Sequence, residues 1–185
     1  MYDRNLRIET ERLVLRQPRL EELDDWSAFM LDEQSMRFIG GVQPRMSVWR
    51  FLMVAVGSWS AMGFGMFSVL ERRSGVWLGR VGPTMPEGWP GSEVGWSIRR
   101  DYCNQGYATE AARASMDWVF EQLQWKEVIH CIAPDNLASQ ALARRLGSTN
   151  RGPGKLPAPL EDAAVDLWGQ TRSEWQRNRN ALPRF

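Results

Sequence analysis

The feature that most constrains this chain runs from Ser92 to Leu123: a strand-forming segment, Ser92-Glu-Val-Gly-Trp-Ser-Ile98, a turn around Gly106, and a long helical period. Ala108, Ala111, Ala112, Ser115, Met116, Val119, Phe120 and Leu123 recur at three- and four-residue spacing, which predicts a helix. The first amides of such a helix lack intrahelical acceptors and carry the positive end of its dipole, so the turn is a natural seat for a phosphate or pyrophosphate. Gly106 lets a ligand approach the backbone, and the alanines keep the first turns thin. A plain helix start with a glycine turn satisfies the same local physics.

The 185 residues are enough for one domain with a well-buried core, expected to span residues 1–185 with a tail or helix over 170–185. Lys plus Arg number 23 against 22 for Asp plus Glu, a net charge of +1 that gives no electrostatic support for a nucleic-acid partner. No apolar run is long enough to cross a bilayer, and residues 1–5 lack the basic-then-apolar order of a secretion signal. The expectation is a cytoplasmic protein with no membrane partner. Cys103 and Cys131 form no CxxC pair, and the single histidine, His130, adjoins Cys131 on a strand where neighbours face opposite ways, so no metal site is expected. The ten tryptophans read as core and cleft lining; Trp89 and Trp175 read as exposed, and so as candidate contacts of a homodimer.

Residues 13–16 read as a first strand, and 20–30 as an amphipathic helix with acids near its start. Ser47 is placed as the cap of a helix to about Met62, whose apolar positions Trp49, Phe51, Leu52, Val54, Ala55 and Trp59 predict burial on more than one side. Residues 66–70 and 76–81 predict an antiparallel hairpin, and the three prolines of 83–91 a loop. Residues 127–133 predict a strand parallel to 92–98, followed by a helix capped by Asn136 and stopped by Gly147. A loop over 152–159, a strand over 163–168 and a basic helix over 172–179 complete the chain.

Two sets of residues are candidates for chemistry. Glu93 is a carboxylate on the strand before the turn, either a general base or an ordinary strand residue. Asn136 and Ser139 stand three apart at a helix start: either Asn136 caps the Ser139 amide, or the Ser139 hydroxyl serves a leaving group.

Gly95-Trp96, Asn104-Gln-Gly-Tyr-Ala-Thr-Glu-Ala111, Pro134-Asp-Asn-Leu-Ala-Ser139 and Leu146-Gly147, in that order, resemble the GCN5-related N-acetyltransferases, in particular the branch that acetylates ribosomal-protein N-termini. The resemblance extends from Glu9 to Gly147. It implies an α/β (α+β) domain with a mixed V-shaped sheet of six to seven strands flanked by about four helices, holding acetyl-CoA without a metal. By the resemblance, amides of Asn104, Gln105, Gly106, Tyr107, Ala108 and Thr109 hold the pyrophosphate, and those of Trp96, Ser97, Ile98 and Arg99 pair with the pantetheine. Asn136 and Ser139 match positions that contact the cofactor near its sulfur. Glu93 is then the expected base and Ser139 the expected acid, with the amine of a small molecule or a protein N-terminus as acceptor. A non-catalytic module of the same fold, binding a CoA ester or a partner through a tryptophan-rich cleft, is the alternative. Nucleotide hydrolysis ranks below both, because no phosphate-loop motif is present. Cys103, Asn104 and Ser148 depart from the family's usual Arg, Gln or Trp, its Gly and its Phe. They predict a less φ-permissive turn and a looser contact after Gly147.

Overall fold

The computed structural model describes residues 6–181; the expectation for residues 1–5 and the end of the 170–185 tail lie outside them. The chain divides into two compact units, one holding the residues up to Gly82 with Trp96–Ala111, the other Pro83–Gly95 with the residues after Ala111. One mixed sheet of eight strands runs through them in the order β1-β2-β3-β4-β5-β6-β8-β7.

In the first unit, β1 (Arg7–Glu9) and β2 (Leu13–Arg16) pair antiparallel, β2 pairs with β3 (Phe67–Glu71), and β3 with β4 (Trp77–Thr84), as the hairpin signal predicted. Between β2 and β3 lie a 3-10 turn (Leu20–Glu22) and three helices: α1 (Leu23–Leu31), α2 (Glu33–Met36) and α3 (Arg45–Met62). Trp26, Phe29, Met30, Met36, Val48, Leu52 and Trp77 form one buried cluster, with ring centroids 6.1 Å apart for Trp26–Trp77 and 5.9 Å for Phe29–Trp77. Removing each such side chain from water stabilises the unit by about 1.5–3 kcal/mol.

β4, β5 (Glu93–Ile98) and α4 (Tyr107–Glu121) each run from one unit into the other. In the second unit β6 (Glu127–Ile132) pairs parallel with β5 at Glu93↔Ile129 and antiparallel with β8 (Val165–Thr171), which also pairs with β7 (Thr149–Gly154). α5 (Leu137–Arg145) and α6 (Arg172–Asn178) complete it.

Several expectations are corrected. The described residues hold eight strands rather than six or seven, because 7–9 pairs as β1 and part of the expected 152–159 loop belongs to β7. Gly152 and Pro153 hid that strand; it pairs only with β8, at the sheet edge where proline is tolerated, and its register breaks between Asn150 and Pro153. The described residues hold six α-helices rather than about four, α2 being a single turn capped by Asp32. α3 starts at Arg45 with Pro44 as its N-cap, so Ser47 lies in its first turn. Its burial is one-sided: Val48, Leu52 and Trp59 are buried, while Trp49, Phe51 and Val54 are exposed. Trp175 is fully buried, donates its indole N–H to Asp117 at 2.9 Å and stacks near Phe120, so it is no dimer contact; Trp89 is half-buried.

Gly79 sets how closely β4 lies against β5. A Cβ there would sit 2.1 Å from the Ser97 carbonyl oxygen and 2.9 Å from the Ile98 Cα, both backbone atoms that cannot rotate away. Gly79→Ala is expected to destabilise the protein by about 1–3 kcal/mol through this overpacking, read as a lower denaturant midpoint; an unchanged midpoint would contradict the close approach.

Candidate active site

The turn before α4 is assembled from local preferences. After β5 the chain makes a 3-10 turn at Arg100–Tyr102, and then two residues take left-handed backbone, Asn104 at φ 60° and Gly106 at φ 84°. Asn tolerates that region better than other side-chain-bearing residues, and glycine enters it without cost. The Glu110 amide donates to the Gly106 carbonyl at 3.0 Å, the bond that opens the α4 ladder, so the Tyr107 and Ala108 amides precede that ladder. Successive amides in such a turn form a concave donor surface for an anion.

A buried carboxylate fixes this turn. Glu110, in the first turn of α4, accepts the Arg12 amide at 2.9 Å, the Arg12 Nε at 2.7 Å and the Thr10 hydroxyl at 2.5 Å. Arg12 also donates to the Gln105 carbonyl at 2.9 Å and lies 4.6 Å over the Tyr107 ring, while the Tyr107 hydroxyl donates to Glu71 at 3.0 Å. Tyr107 therefore contributes its side chain to the frame of the turn. Sequence reasoning gave no role to Glu110, Arg12 or Thr10, although all three lie in the segments that carried the resemblance.

The second unit holds the other candidates. The Ile129 amide donates to the Ser92 carbonyl at 2.9 Å, a regular bond of the parallel ladder. The next bond of that ladder, Cys131 amide to Val94 carbonyl, is replaced by two side chains. Glu93 Oε1 accepts the Cys131 amide at 3.0 Å, and His130 Nδ1 takes the Val94 carbonyl at 2.7 Å. Glu93 Oε2 accepts the Trp89 indole N–H at 2.5 Å. Burial raises the Glu93 carboxyl above its ordinary value against the lowering effect of these hydrogen bonds, and it raises the adjacent Cys131 thiol too. A base whose pKa rises toward neutrality is better matched to accepting a proton at that pH. The same carboxylate also ends the β5–β6 ladder.

Since a carbonyl only accepts, His130 carries its proton on Nδ1 and its Nε2 accepts from the Ser148 hydroxyl at 3.0 Å. Ser148 in turn accepts from Gln170 at 2.9 Å. At α5, Asn136 Oδ1 accepts the Ser139 amide at 3.1 Å, which is the capping arrangement, and Ser139 is half-buried. Gly147 at φ 89° ends the helix region. Trp96, Ser97, Ile98, Arg99 and 104–109 thus belong to the first unit, and Glu93, Asn136 and Ser139 to the second. Among the described residues no cluster of His, Cys, Asp or Glu could hold a metal ion, and no helix is long and apolar enough to cross a membrane.

Residues 12–149 match the acetyltransferase (GNAT) domain family. This chain belongs to that family. It is similar to an acetyltransferase of Agrobacterium tumefaciens at 27% identity and a TM-score of 0.80, covering 93% of this chain and 98% of that one. It is 26% identical over 151 residues to the uncharacterised N-acetyltransferase YnaD of Bacillus subtilis, covering 80% of this chain and 85% of the relative. The fold is also that of RimL, a ribosomal-protein alpha-N-acetyltransferase crystallised with coenzyme A, at 15% identity and a TM-score of 0.74, covering 90% of this chain and 98% of RimL. Acetyl-CoA-dependent N-acetylation is the generic chemistry of the family.

The three departures from the family's usual residues now have physical readings. Asn104 adopts the left-handed backbone itself, so the turn keeps its shape without a second glycine. Cys103 is exposed, with its sulfur near the Ile98 and Arg99 carbonyls; desolvation and then Asp101 raise its thiol above the ordinary value, which suits a turn residue and not a reactive thiolate. Ser148 is buried and joins His130 to Gln170 in a polar network that a Phe could not make.

His130 also sets a pH dependence. Burial lowers its pKa from 6.5 to about 4 in the folded protein, so the unfolded chain takes up the proton first as pH falls. The stability is complete above 6.5 and is lost progressively down to about 4, by about 3 kcal/mol. Glu93 acts with the opposite sign and is common to both proteins of the test. His130→Asn, which keeps a donor near Nδ1, should show a markedly smaller fall in urea midpoint between pH 7 and pH 4.5 than the wild type. Equal falls would contradict the assignment.

Proposed function

We propose that this chain is an acetyl-CoA-dependent N-acetyltransferase, a single domain over residues 1–185 working in the cytoplasm, that transfers the acetyl group directly to a primary amine in a ternary complex. The observation that carries this reading is the donor-rich turn at the head of α4, with Asn104 and Gly106 left-handed and Glu110 fixing its base. In this reading the amides of Asn104, Gln105, Gly106, Tyr107, Ala108 and Thr109 hold the pyrophosphate, and those of Trp96, Ser97, Ile98 and Arg99 align the pantetheine and stabilise the oxyanion. The acceptor is a small-molecule amine or a protein N-terminus, and no further cofactor takes part.

The neutral amine attacks the thioester carbonyl carbon, and Glu93 takes the proton that the nitrogen sheds. The tetrahedral intermediate collapses by breaking the carbon–sulfur bond, and the CoA thiolate takes a proton from the Ser139 hydroxyl as solvent water re-protonates that oxygen; Glu93 returns its proton to solvent, which closes the cycle. An α-amine with a pKa of about 7.7–8 asks less of the base than a lysine near about 10.4. Asn136 holds the first turn of α5, and with it the Ser139 backbone, in place. The second reading, a non-catalytic module that binds a CoA ester or a partner, draws on the occupation of both Glu93 oxygens by N–H donors.

Calorimetric titration with acetyl-CoA tests the cofactor site, with Gly106→Trp as the variant that blocks the turn. Binding by the wild type that the variant loses is the expected result, and no binding by the wild type contradicts the enzyme reading. Glu93→Gln should lower kcat/KM by about 10²-fold near pH 7, with the loss relieved at high pH where the amine is already neutral. Ser139→Ala should lower turnover and leave acetyl-CoA affinity within a few-fold. Turnover equal to that of the wild type would remove Ser139 from the mechanism, and a loss that does not change with pH would remove Glu93 as the base.

A further inference from the structure

The face of β2, β3 and β4 toward α1 carries a polar row in strand register, Arg16↔Ser68↔Arg80. The row holds two guanidinium groups and, within reach, one carboxylate. That carboxylate, Glu22, is buried and committed: its Oε1 pairs with Arg16 at 2.5 Å and its Oε2 accepts the Ser68 hydroxyl. Ser68 also accepts the Trp77 indole N–H at 3.3 Å. The Arg80 side chain has no ion pair or hydrogen bond among the described residues; its guanidinium lies 5.1 Å over the Trp26 ring, and its Nε is buried without an acceptor. The Trp26 indole N–H is a second buried donor in the same state. Burial alone lowers the Arg80 pKa, to about 10, so the group stays cationic. Folded proteins seldom retain a desolvated charge without a partner, because removing it from water is costly. The two Nη groups keep some surface, since Arg80 is half-buried and only its Nε is sealed.

We propose that Arg80 is a binding residue for a carboxylate on the acceptor, so that the substrate is an amine bearing a carboxylate close by: an amino acid, or a protein N-terminus that begins with an acidic residue. The proposal rests on the acetyltransferase reading. Arg80 follows Gly79, the residue packed on the Ser97 carbonyl, and that stretch of β5 is the one that reading gives to the pantetheine. A planar guanidinium on an aromatic face presents a fork of donors that a carboxylate accepts through two oxygens.

The test uses the full chain at saturating acetyl-CoA, with matched acceptors that differ only in charge: glutamate against glutaminamide, and peptide amides beginning with Asp against Asn. Wild-type kcat/KM should favour the carboxylate-bearing member by about tenfold or more, on amino acids, on peptides or on both, which tells the two sources apart. Arg80→Met should bring that preference within about twofold by raising KM, keep the acetyl-CoA dissociation constant within about twofold, and melt at a higher temperature because an uncompensated charge has gone. A preference that survives in Arg80→Met, or a wild type without one, overturns the proposal. A loss of acetyl-CoA affinity in the variant overturns it too, by assigning Arg80 to the cofactor. If no acceptor is acetylated, thermal melting in tens of millimolar glutarate decides: stabilisation of the wild type but not of Arg80→Met keeps the carboxylate site while the enzyme reading fails, and no difference removes the site.

Discussion

The carboxylate of Glu110 is the interaction on which the donor turn depends. It accepts three bonds from Thr10 and Arg12, residues about a hundred positions earlier in the chain, and Arg12 passes the constraint on to the Gln105 carbonyl and the Tyr107 ring. A helix N-terminus is a weak anion site when its turn moves, because ordering the turn opposes binding. Here the ordering is done on folding. The turn is held by a network that uses side chains and leaves the Tyr107 and Ala108 amides ahead of the α4 ladder, and that combination is what a pyrophosphate requires.

A second substitution of side chain for backbone occurs at β5. After one regular ladder bond, Glu93 and His130 each take one half of the next, so the parallel pairing of β5 with β6 stops at Val94. The Cys131 amide and the Val94 carbonyl each still find a partner, which is the condition for ending a ladder inside a protein. The arrangement gives Glu93 two tasks. Its carboxylate is a structural acceptor, and the burial that this requires raises its pKa in the direction a general base needs. His130, through Ser148, is tied to Gln170 on β8.

Much of this was legible in the sequence where the physics is local. The strand, glycine turn and helix from Glu93 to Glu121, the Asn136 cap and the parallel pairing of β5 with β6 all follow from periodicity, capping residues and spacing. What was hidden depends on residues far apart. No local signal tells that Trp175, in a charged run, reaches Phe120 and Asp117, or that Glu110 meets Thr10 and Arg12. β7 was masked by Gly152 and Pro153, which punctuate a sequence as a loop does but are admitted at a sheet edge. The exposed face of α3 was read as buried because apolar composition alone cannot say which side a helix presents.

Whether the preset amides of the turn receive the acetyl-CoA pyrophosphate is tested most directly by amide hydrogen exchange with and without acetyl-CoA. Exchange at residues 105–109 is expected to slow on addition of the cofactor by about tenfold or more, with little change across the α1–α2 segment. Unchanged exchange at those amides in a protein saturated with acetyl-CoA would contradict that placement of the pyrophosphate.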